Sequence, residues 1–166
     1  MDIQNSHNRG GGSSETREKG NDVFLSCSEQ DNRPGFADGL YNSLHQAGIH
    51  VIRDLEERTL GQDTGQRLIQ VIRHSKIAIP ILSKNYPSSK YCLQELVQIV
   101  ECHKTMGQII MPVFLNVTPS VVKNISRGYG EAITKHGQTD LDPNILREWE
   151  EALIHVVAIP GLEIDR

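Results

Sequence analysis

The chain predicts an α/β domain built as a doubly wound, flavodoxin-like five-stranded parallel sheet with helices on both faces. Four short apolar runs are rich in β-branched residues: Val23-Phe24-Leu25, Ile49-His50-Val51-Ile52, Ile77 through Leu82, and Ile109 through Leu115. Buried parallel strands read this way because both of their faces are covered. Helical periods lie between the runs, and strand–helix alternation at this spacing implies right-handed crossovers and parallel pairing.

Each element has a local reason. Phe36, Leu40, Leu44 and Ala47 recur at helical spacing after Pro34, a favourable first-turn residue, and Gly48 closes the segment. Leu68, Ile69 and Ile72 predict a shorter helix. Leu93, Leu96, Val97 and Val100 predict another, behind Ser88-Ser89, whose hydroxyls can accept from the first helical N–H groups. Ile145, Trp149 and Leu153 predict a last helix with Trp149 in the core, and Gly161 through Ile164 a short closing strand.

At 166 residues the chain is long enough for one domain with a real core. Residues 1–20 are rich in Gly, Ser, Asn and charge and lack an apolar period, so they read as a disordered tail before a domain spanning 21–166. The net charge of −4, without a block of Lys or Arg, gives no reason to expect nucleic acid or an anionic membrane as a partner. No run is long and apolar enough to span a bilayer, and the polar start is unlike a secretory signal, so a cytoplasmic or nucleo-cytoplasmic location is expected. Cys27, Cys92 and Cys102 lack metal-type spacing and read as reduced thiols, Cys27 and Cys92 as small buried residues. The seven histidines form no metal set or triad, and no metal is expected.

In doubly wound sheets, ligands bind outside the carboxyl ends of the strands, where strand order reverses. Ser26-Cys27-Ser28-Glu29, Arg53-Asp54 and Ser83-Lys84 follow three strands and should gather on one rim, with Glu95 nearby. Taken alone, Glu95 reads as a solvated surface carboxylate favoured by the helix dipole. Tyr91 lies one helical turn before it on the same face and could pack against the core or stack on a ligand.

Several separate stretches resemble plant Toll/interleukin-1 receptor (TIR) domains: Asp22 through Ser26, Gly48-Ile49-His50 with Arg53-Asp54, Pro80 through Ser83, Pro112-Val113-Phe114, and Trp149 with Ala152-Leu153. The strongest runs from Tyr86 through Leu96, where Ser89-Lys90-Tyr91-Cys92-Leu93-Gln94-Glu95-Leu96 is similar to a Ser-Lys-Trp-Cys-Leu-x-Glu-Leu signature. The resemblance covers about residues 21–164 and implies an immune signalling domain that hydrolyses NAD on self-association. Its catalytic residue would be Glu95, with Ser26, Cys27, Ser28, Asp54, Ser83 and Tyr91 binding substrate. NAD would be a substrate, no cofactor would be tightly bound, and other TIR domains would be partners. The segment from Arg53 to Gly61 would flank the pocket and rearrange on assembly.

The chemistry suits one carboxylate. Cleavage of the nicotinamide–ribose bond develops an oxocarbenium-like cation, while the pyridinium leaves as neutral nicotinamide and needs no general acid. The chain departs from the pattern it resembles after Ser26, where Phe-Arg-Gly is common in such domains and Cys27-Ser28-Glu29 stands instead. Loss of a guanidinium and gain of a carboxylate disfavour a dianionic dinucleotide. A second reading is therefore an adaptor or decoy that acts through TIR–TIR binding.

Overall fold

The structure, a computed structural model, describes residues 21–31, 35–53, 64–123, 129–137 and 142–166. The predicted tail (1–20) and Asp54 lie outside the described residues. In chain order the elements are β1 (Asn21–Ser26), α1 (Phe36–Gln46), β2 (Val51–Arg53), α2 (Thr64–Arg73), β3 (Ser75–Leu82), α3 (Lys90–Met106), β4 (Ile109–Ile110), β5 (Val113–Leu115), α4 (Pro119–Lys123), α5 (Tyr129–His136), α6 (Pro143–Val157) and β6 (Leu162–Ile164). Two short 3-10 turns occupy Glu29–Asp31 and Tyr86–Ser88.

The sheet is parallel in the order β2-β1-β3-β5-β6, with β4 also paired to β3. This is the predicted five-strand order, except that the fourth run is broken at Met111-Pro112. Proline has no N–H to give to a ladder, which accounts for the interruption. The register nevertheless carries across it: Ile77 pairs with Ile109 before the break and Ile81 with Val113 after it.

Alternation along the strands divides the core in two. Phe24, Ala78, Leu82, Ile110 and Phe114 face a cluster completed by α2, α3, α5 and α6, whereas Val23, Leu25, Ile79, Ile81 and Val113 face α1. Helices thus cover both faces. Gly48, at φ 85°, ends α1 in the left-handed conformation that glycine adopts without steric cost. Ser89 caps α3 as expected, its Oγ accepting from Cys92 N at 3.2 Å. Asp142 caps α6 by accepting from Asn144 N at 2.9 Å.

Gly161 has a steric role at the last crossing. A Cβ there would lie 2.3 Å from the Pro112 carbonyl oxygen, next to the Leu162 N to Pro112 O bond of 3.0 Å that seats β6 beside β5. Because the obstacle is backbone, Gly161→Ala must push the strands apart. The expected loss is about 2 kcal/mol of stability, read from a urea melt; an unchanged midpoint would show that β6 is not seated this way.

Candidate active site

The order β2-β1-β3 places the switch point between β1 and β3, at the ends where Ser26 and Pro80 pair in register. Helix α3 crosses there and buries Cys92, Leu93, Glu95, Leu96, Ile99, Val100 and Cys102. Glu95 therefore sits within the apolar stripe and is 0% exposed. The surface-carboxylate reading of Glu95 fails because helix position 95 falls between Cys92 and Ile99 on the face that meets the sheet.

Ser26 Oγ donates to Glu95 Oε1 at 2.6 Å. The Tyr86 hydroxyl lies 2.7 Å from Ser26 Oγ and 3.1 Å from the Cys92 carbonyl oxygen. All three side chains are fully buried. Burial pushes the Tyr86 phenol well above its ordinary range, and the neighbouring Cys92 and Glu95 add to the rise. Tyr86 was not singled out as a site residue by its sequence position; it reaches the site because the 3-10 turn after β3 folds back under α3.

The other candidates separate. Cys27 is buried in the α1-side cluster with Leu25, Val51 and Val113, so its side chain and that of Ser26 lie on opposite sides of the sheet. Ser28 is buried beside the 3-10 turn that follows β1. Ser83 Oγ donates to Asp31 Oδ2, and the Ser83 carbonyl accepts from the Tyr129 hydroxyl. Tyr91, in the first turn of α3, is 50% exposed, which leaves both partial packing and ligand stacking open to its ring.

Asp31 is the second residue that local sequence does not disclose. Its carboxylate accepts from Ser83 Oγ, from Asn85 N at 2.8 Å and from Asn85 Nδ2 at 2.7 Å, tying the segment after β1 to the segment after β3. Tyr129, whose phenol is raised well above its usual range by burial and then by the Asp31 charge, closes the cluster through Ser83. Asp31→Ala leaves these donors to water and should cost about 2 kcal/mol in a denaturant melt. A loss below about 0.5 kcal/mol would mean that water replaces the carboxylate fully.

Between those two segments lies a pocket of about 220 Å³ lined by Ser28, Glu29, Gln30, Asn85, Ser88 and Ser89. Among the described residues, its lining carries one carboxylate and no cation. A larger open cleft of about 350 Å³ runs between α3 and α6 along Gln98, Glu101, Lys104 and Glu148, and its lining includes none of Ser26, Ser28, Ser83, Tyr86, Tyr91 and Glu95. Proximity to the switch point makes the smaller pocket the relevant one.

A doubly wound parallel sheet with helices on both faces and an enclosed glutamate at its switch point defines an α/β domain of the flavodoxin-like class. The family model "TIR domain" matches residues 21–166, and the chain belongs to that family. Its relatives include Disease resistance-like protein DSC2 of Arabidopsis thaliana, 40% identical over 84% of this chain, and Disease resistance protein RPV1 of Vitis rotundifolia, 35% identical over 84%. The chain spans only 11% and 10% of the lengths of those two proteins. The TIR domains of the activated Roq1 resistosome superpose with a TM-score of 0.79 at 37% identity, over 87% of each chain. Among the described residues, no helix is long and apolar enough to cross a membrane.

Proposed function

We propose that this domain serves plant immune signalling by hydrolysing the nicotinamide–ribose bond of NAD when copies self-associate, with Glu95 as the catalytic residue. The observation that carries this reading is the placement of Glu95: a fully enclosed carboxylate, oriented by Ser26 at 2.6 Å, at the switch point of a TIR sheet. As the C1′–N bond breaks, its electron pair leaves with neutral nicotinamide and positive charge develops on the ribose. The Glu95 carboxylate stabilises that charge in a low-dielectric site. Water then adds at C1′, its proton goes to solvent, and ADP-ribose is released. Tyr91, Ser28 and Ser83 are proposed to line the entrance.

Glu95 has no exposed surface, so substrate must find the site in a more open state. Assembly would supply that opening by favouring the open form, as ligands do in a population shift. The Roq1 relative supports the idea, since its TIR domains belong to an activated resistosome. One observation favours the adaptor or decoy reading. Among the described residues, the 220 Å³ rim pocket offers a phosphate Glu29 and no cation. The deciding test is nicotinamide release from NAD by concentrated protein, paired with Glu95→Gln. Release that vanishes in the variant supports the enzyme; none from crowded wild type sinks it in favour of the adaptor.

A further inference from the structure

Two hydroxyl protons serve three buried contacts at the site. With Glu95 ionised, Ser26 spends its only proton on Oε1 at 2.6 Å. Ser26 Oγ can then only accept from Tyr86, 2.7 Å away, while the Cys92 carbonyl at 3.1 Å is a second, longer acceptor for the same phenol proton. Burial keeps that phenol protonated across the working pH range, so it is a permanent donor. None of the three residues has exposed surface.

We propose that Tyr86 is a positioning residue for the reaction: by donating to Ser26 Oγ it fixes the rotor of the Ser26 hydroxyl, whose proton then holds the Glu95 carboxylate toward the reacting ribose. Hydrogen bonds in such a chain strengthen one another in a low-dielectric interior, so loss of the first link weakens the second. Without the phenol hydroxyl, Ser26 can turn its proton away and Glu95 gains freedom at the moment charge must be stabilised. The kinetic side of this inference rests on the reading of Glu95 as the catalytic residue.

The test is a cycle of wild type, Tyr86→Phe, Ser26→Ala and the double variant, each read in two ways. Phe keeps the ring and its packing, so the domain should remain folded. The first readout is the ¹³C resonance of the Glu95 side-chain carboxyl, assigned by its disappearance in Glu95→Gln, which needs no turnover. The second is nicotinamide release. Tyr86→Phe should displace the resonance and lower kcat about tenfold with KM within about twofold, the loss of one buried hydrogen bond. In the Ser26→Ala background, Tyr86→Phe should change neither readout further. Additive effects, or a resonance that ignores Tyr86→Phe, overturn the relay. Wild type that releases no nicotinamide but keeps the resonance coupling overturns only the NAD reading; the relay would stand.

Discussion

Glu95→Gln is expected to lower nicotinamide release about a thousandfold while leaving the melting temperature within about 3 °C of wild type. Glutamine keeps the volume of the side chain and an acceptor oxygen for the Ser26 hydroxyl, which now lies 2.6 Å from Oε1. What it removes is the negative charge. On the proposed mechanism that charge acts on the ribosyl cation in an enclosed, low-dielectric site, where it is worth far more than in water. The neutral amide retains only a dipole, so the variant separates charge from shape. A fall of more than about 8 °C would assign the carboxylate to holding the fold instead, and unchanged turnover would remove Glu95 from the chemistry. Kinetics on protein concentrated enough to self-associate, beside a thermal melt of the same sample, reads both.

The backbone architecture was legible because it is written in local patterns. Runs rich in β-branched residues became β1, β3 and the broken β4–β5 strand, and helical periods became α1, α2, α3 and α6. Helices α4 and α5 were not anticipated: five and eight residues give too few turns for a period to emerge. Depth was the harder quantity. Spacing gives the face on which a residue lies but not what covers that face, so Glu95 read alone as a surface carboxylate. The corrective signal was nonetheless present, since Cys92, Leu96, Ile99 and Cys102 form a stripe into which position 95 falls. Alternation likewise separates Cys27 from Ser26, a parity that naming every residue after a strand overlooks. Contacts such as Tyr86 with Ser26 and Asp31 with Ser83 join residues more than 50 positions apart, and only the closed sheet brings them together.

Trp149→Ala should produce the largest stability loss of any single core truncation, about 3–5 kcal/mol, because the site cannot collapse around so large a void. Trp149 is 2% exposed and belongs to the cluster that packs α6 against α3 and α5. The His136 ring meets it edge-on, centroids 5.4 Å apart, and His136 Nε2 lies 3.0 Å from the Pro87 carbonyl oxygen, for which it is a donor. Pro87 sits in the same 3-10 turn as Tyr86. The indole therefore supports, through α5, the turn that carries Tyr86 to Ser26. Its removal should loosen this turn as well as the core, so nicotinamide release should fall about tenfold even at temperatures where the variant is folded. Trp149→Phe, which retains an aromatic edge contact, should lose less than half as much stability. Urea melts followed by far-ultraviolet circular dichroism measure the first effect. A loss below about 1 kcal/mol would show that α6 is held by other contacts, and full activity in a destabilised variant would show that Tyr86 is seated without help from α5.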